Sequence, residues 1–141
     1  MRAFLVSAAL AMMVCGCAVA PKPPAPAPAQ PCPSGGQRQT AELVFGRVSS
    51  EGPGVSEADF AHFLDQEVSP RFPDGLTIVD AQGRWTPPAG SAIHEPSKMV
   101  MIVLRGLPDD LAQLDAIREA YKRRYHQQSV LLMTRSACVS F

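Results

Sequence analysis

The chain has 141 residues, 46% hydrophobic and 18% charged, with 13 basic side chains against 13 acidic ones. A balanced chain has no overall field to gather nucleic acid or another polyanion, so that class of partner is excluded. Seven of the 14 prolines fall between Pro21 and Pro33, where no packed core can form, and the remaining stretch of about 100 residues from 38 to 141 suffices for one domain and not for two.

Met1 and Arg2 give a short positive start, and Ala3 to Val14 is an apolar run too short for the roughly 20 residues that cross a bilayer, so residues 1–16 read as a signal peptide. It ends in Val14-Cys15-Gly16-Cys17, which resembles the lipobox of bacterial lipoproteins and marks Cys17 as the lipidated residue. Secretory cleavage after Ala20 competes, but it places Pro21 directly after the cut, where the rigid ring disfavours the peptidase. Several acyl chains on Cys17 exceed the two-signal threshold for durable anchoring. The expected partner of this end is therefore a membrane, reached through lipid. No Asp follows Cys17 at the second position, so the expected location is the cell envelope, on the outer membrane facing the periplasm. Residues 17–38, rich in Pro and Ala, form a tether that reaches roughly 60 Å in extended polyproline form.

Two cysteines remain after processing, Cys32 and Cys138, in a compartment that oxidises thiols. One precedes the first strand and the other lies near the end of the last. A fold that sets those strands side by side and antiparallel brings the two sulfurs together, and a disulfide between them is expected.

Thr40 to Val48 reads as a central strand, with Leu43 and Phe45 on one face and Val44 and Val48 on the other. Ser56 caps a helix: its hydroxyl can accept from the amide of Asp59, whose carboxylate reaches back, while Val55 and Phe60 form a hydrophobic staple. Phe60, Phe63, Leu64 and Val68 make the apolar stripe, and Pro70 stops the helix. Leu76 to Thr86 and Ile93 to Leu104 are extended runs joined by Pro87-Pro88-Ala89-Gly90-Ser91, a long β-hairpin. Asp109 and Asp110 open a second helix that buries Leu111, Leu114, Ile117, Tyr121 and Tyr125, with basic residues gathered at its far end. Val130 to Val139 closes the domain as a strand. The order β-α-β-β-α-β predicts an α+β, ferredoxin-like two-layer sandwich over residues 39–141, its four-stranded antiparallel sheet carrying both helices on one face. In Met99 to Leu104 and Val130 to Met133 both alternating sets are apolar, so the second face of the sheet needs a cover too, either a homodimer packed sheet to sheet or an apolar ligand.

Glu42-Leu43-Val44-Phe45-Gly46-Arg47, Val55-Ser56-Glu57-Ala58-Asp59-Phe60, Pro70-Arg71-Phe72-Pro73-Asp74-Gly75-Leu76-Thr77, Gly83-Arg84-Trp85, Glu95-Pro96-Ser97-Lys98 and Ala137-Cys138-Val139-Ser140-Phe141 resemble the bacterial domain of unknown function numbered three-five-seven-four. The family occurs in short secreted proteins and lipoproteins. The resemblance spans about 40 to 141, implies the domain boundaries and Cys138 as a family feature, and brings no catalytic residue.

Arg47 is the most informative lone charge, because a central strand of a small domain seldom carries an unpartnered arginine. It binds either an anion or one of Asp74, Asp80 and Glu95. Arg71 to Gly75 reads as a structural loop, fixed by proline and glycine. The hairpin sets carboxylates, a cation and an aromatic wall near one another, so Arg47, Asp80, Trp85, Glu95 and Lys98 form the candidate ligand pocket, with no cofactor implied. His62, His94 and His126 share no ligand spacing, so no metal site is expected. The function expected is a non-catalytic ligand-binding or interaction domain of an envelope lipoprotein. The alternative is a small cofactor-independent enzyme using the hairpin carboxylates for acid-base work; it needs one of them partly buried with a shifted pKa.

Overall fold

The structure is a computed structural model and describes residues 31–49, 52–86 and 90–141. The signal peptide, Cys17, most of the tether and the middle of the hairpin connection lie outside the described residues.

Residues 31–141 form one compact unit. Its elements run β1 (Gly36–Gly46), α1 (Glu57–Phe63) continued by a π-helical turn (Leu64–Val68), β2 (Thr77–Trp85), β3 (Ile93–Val103), α2 (Asp110–Tyr125) and β4 (Leu131–Val139). The strands form one sheet in the order β2-β3-β1-β4, every pair antiparallel. This is the ferredoxin-like α+β architecture, with first and last strands adjacent. β1 begins at Gly36, inside the stretch expected as tether, because residues Gly36 to Arg38 pair with Val139 to Ala137. At the same end Cys32 and Cys138 are joined, their Cα atoms 5.4 Å apart.

Alternation along β1 decides the core. Ala41, Leu43 and Phe45 are fully buried under the helices, opposite Ile102, Val100 and Lys98 of β3. Phe45 packs edge-on against Phe60, Phe63 and Tyr121, with ring centroids at 5.6, 5.9 and 4.7 Å, an arrangement that adds quadrupole attraction to area burial. The hydroxyl of the fully buried Tyr121 donates to the Gly46 carbonyl at 2.9 Å. The capping box forms at Ser56, whose Oγ accepts from the Asp59 amide at 3.1 Å while Asp59 Oδ2 accepts from the Ser56 amide at 3.3 Å. Val55 and Phe60 beside it are both buried.

Two details of the helices differ from expectation. The last turn before Pro70 is π rather than α, with the Ser69 amide donating to the Leu64 carbonyl at 2.9 Å; the proline ring excludes the Gln66 carbonyl from its usual α position, and widening the turn relieves that contact. Leu111, expected in the core, is 58% exposed. At about 100° per residue Leu114, Ile117, Tyr121 and Tyr125 cluster around one direction and Leu111 falls about 80° from its centre. Asp110 is buried instead, its Oδ2 accepting from the amides of Gly106 and Leu107 at 2.9 and 3.0 Å.

The opposite face of the sheet carries Val44, Val79, Met99, Met101, Leu131 and Met133 by register, and no described element covers it.

Candidate functional site

Just past the end of β1, Arg47 turns toward the start of α1. Its amide donates to the Pro96 carbonyl at 3.0 Å, and its carbonyl accepts from Val55 at 2.9 Å. Gly54 closes this loop at φ +83, where an added Cβ would strike that same Arg47 carbonyl, so only glycine fits. The guanidinium then donates through Nε to the Val55 carbonyl at 2.8 Å and pairs through Nη1 with Glu57. Glu57 is the first residue of α1, placed there by the Ser56 cap.

One step away in the sheet, Lys98 faces Phe45 across β1 and Asp80 across β2, so it points to the helix side. Its Nζ contacts Glu57 Oε2 at 2.8 Å and pairs with Asp80. The Lys98 side chain is only 9% exposed and that of Arg47 17%, whereas Glu57 is 69% and Asp80 84% exposed. Two sheltered cations thus converge on one carboxylate that stands mostly in solvent.

The charges stabilise one another. Glu57 titrates below the usual carboxylate range, chiefly because Lys98 donates to it; burial opposes this, and the hydrogen bond and charge of Arg47 lower it further. Asp80 is lowered by its hydrogen bond from Lys98. Lys98 is raised by Asp80 and Glu57, which outweigh its desolvation. Arginine, held in a fork geometry and always charged, and lysine, a compact donor, together suit a carboxylate or phosphate.

The structure does not unite the five expected pocket residues. It brings together Arg47, Asp80 and Lys98. Trp85 and Glu95 lie on the opposite face of the sheet, because residues 85 and 95 differ in parity from 80 and 98 and a strand turns successive side chains to opposite sides. Trp85 is 43% exposed, and Glu95 Oε1 accepts from the Val48 amide at 3.1 Å. Nor does Arg47 pair with Asp74, Asp80 or Glu95; Asp74 lies 4.0 Å from Arg105 instead. Glu57 was missed. The local sequence explains it fully as a first-turn acid, and only the approach of α1 to the sheet sends its carboxylate back to Arg47 and Lys98.

An open cleft of about 460 Å³ adjoins Arg47, lined also by Val55, Ser56 and Pro96 among others. A second of about 450 Å³ lies at the other end of the sheet, between Arg38, Asp74, Met101 and Arg105. Among the described residues no three His, Cys, Asp or Glu side chains converge to hold a metal ion. Two basic residues of α2 tie it to its neighbours: Arg118 Nε donates to the Val130 carbonyl at 3.0 Å and Arg124 Nη1 to Gln66 Oε1 at 2.8 Å.

A family described as protein of unknown function (DUF3574) matches residues 40–141. No curated protein matches the chain. Among solved structures, a phage SAM lyase in the apo state is similar with 20% identity and a TM-score of 0.57, covering 72% of this chain and 82% of that one. The phage SAM lyase in complex with S-methyl-5'-thioadenosine has 16% identity and a TM-score of 0.56, covering 81% and 97%. CutA1 from Oryza sativa follows at 13% identity and a TM-score of 0.49, covering 74% and 84%. At these identities the likeness to the lyase is one of fold.

Proposed function

We propose, for a chain that belongs to the DUF3574 family of proteins of unknown function, that it is a non-catalytic binding module tethered to the bacterial cell envelope by lipid on Cys17 and facing the periplasm. Its ligand is a small molecule bearing a carboxylate or phosphate, which takes the place Glu57 holds between Arg47 and Lys98. The observation that carries this reading is the contrast in exposure: the two cations are sheltered at 17% and 9%, and the acid that bridges them is 69% exposed. Such an acid can swing away without being desolvated, whereas the cations cannot leave; Lys98 keeps Asp80, and Arg47 needs an anion in its stead. The cleft beside Arg47 gives room for the rest of the ligand.

The acid-base alternative is disfavoured by the same geometry. A general acid for neutral pH is a carboxyl whose pKa burial has raised, and Asp80 and Glu57 are both lowered and mostly in solvent.

The test is a titration of the full chain with acetate and with inorganic phosphate, followed by NMR of the Lys98 ammonium and Arg47 guanidinium signals. Glu57→Gln removes the carboxylate that the two cations share, and is expected to bind the added anion at least about tenfold more tightly than the unaltered chain. Arg47→Met in the Glu57→Gln background is expected to abolish the response. If neither anion moves those signals in the Glu57→Gln variant, the pair is a strut between helix and sheet and the reading fails.

A further inference from the structure

We propose that the uncovered face of the sheet docks a second copy of this chain, the two sheets packed face to face with their strands antiparallel about a two-fold axis that runs across the strands. The face is apolar and open: Val79, Met101, Leu131 and Met133, one or two from each of three strands, are 39, 38, 53 and 45% exposed. Large apolar side chains gathered and exposed on one face in this way mark an interaction site.

Area fits a second sheet. Four strands about 4.8 Å apart and about nine residues long give a footprint of about 19 by about 30 Å, or about 570 Å² before side-chain relief is counted, close to the roughly 600 to 1,000 Å² per partner of a stable interface. Two sheets pack in this way about 10 Å apart with interdigitated side chains.

Charge selects the partner and its orientation. A two-fold contact sets a face against itself, so any net charge on it would repel. The strand register assigns four charged side chains to this face, Arg38, Glu42, Glu95 and Arg135, two of each sign, and Glu42 is paired with Arg135. They are also graded along the strands. Arg38 and Arg135 lie at the starting end of β1, where Arg135 stands opposite Thr40, and Glu95 lies beyond its other end, where its carboxylate meets the Val48 amide. An axis across the strands brings the cationic end of one copy onto the anionic end of the other, while an axis along the strands would put Arg38 against Arg38.

Sedimentation velocity on the full chain through the micromolar range is expected to show a dimer. Met101→Lys, at an exposed position the single copy tolerates, is expected to weaken it at least about tenfold by burying an unpaired charge. Arg38→Glu is expected to weaken it as well, and Arg84→Glu, an equal charge change on the other face of the sheet, to leave it unaltered; thermal unfolding by circular dichroism confirms that each variant is folded. A single copy at every concentration, or a dimer indifferent to Met101→Lys, overturns the docking surface, and binding of a hydrophobic dye to that single copy would assign the face to an apolar ligand. A dimer lost with Met101→Lys yet indifferent to Arg38→Glu overturns the orientation, and a trimer overturns the two-fold arrangement.

Discussion

Tyr121 joins the two layers of the domain at a single hydroxyl. Its ring is fully buried beside Phe45, Phe63 and Tyr125, its O–H donates to the Gly46 carbonyl, and burial raises its pKa well above the ordinary tyrosine value, so it stays a neutral donor. Tyr121→Phe keeps the packing and removes the donor, which is expected to cost about 1 to 2 kcal/mol in urea unfolding, with little change in the slope of the transition. Lys98 makes a different prediction. Glu57 and Asp80 are lowered relative to their unfolded values and Lys98 is raised. The carboxylates therefore contribute stability that is present above the unfolded carboxylate range near pH 4 and is lost as pH falls through their lower folded values. Lys98 contributes stability that is present below about pH 10.4 and is lost as pH rises through its higher folded value. Unfolding midpoints measured against pH should show a plateau between those limits, and Lys98→Met should reduce the decline at both edges. The sequence revealed Arg47 as a charge in need of a partner and Asp80 and Lys98 as neighbours on the hairpin, but not that Glu57 joins them, because that depends on where α1 lands.

At the scale of elements, local chemistry is most complete at α1. The Ser56–Asp59 box satisfies amides that the helix itself leaves open, so Ser56→Ala is expected to destabilise the domain by about 1 kcal/mol in thermal or urea unfolding. The strand pair β1–β4 carries the opposite kind of constraint, a link between distant positions: the bond between Cys32 and Cys138 spans a sequence separation of 106 residues. Replacing both cysteines by serine is expected to lower stability by at most about 4 to 5 kcal/mol, the chain-entropy value for so long a loop, measured by calorimetry against the oxidised chain. Strand alternation was legible because a period of two needs only neighbouring residues, and Leu43, Phe45 and Val100 lie where it puts them. Helix detail was less so. Leu111 belongs to an apolar pattern along the chain, yet it lies off the buried stripe, and the π turn before Pro70 answers a contact that a residue count does not register.

The whole molecule joins a head of about 110 residues to an N-terminal stretch whose sequence reads as signal, acyl acceptor and spacer. If Cys17 carries the lipid, Cys17→Ser is expected to shift the protein from the membrane fraction to the soluble one, and mass spectrometry of the unaltered chain to find an acylated N-terminal peptide beginning at residue 17. A soluble, unmodified chain beginning at Pro21 would remove the anchor while leaving the head and its cation pair untouched.

From sequence alone came the order of strands and helices, the capping of α1 and the apolar character of both sheet faces, since each is written in spacings of a few residues and in the preferences of single side chains. Tertiary structure alone decided that Glu57 bridges Arg47 and Lys98, that Asp80 stands opposite Lys98 and pairs with it, and that Asp110 rather than Leu111 is buried. Those outcomes depend on contacts between segments far apart in the chain, and on a register in which a shift of one residue reverses every side chain.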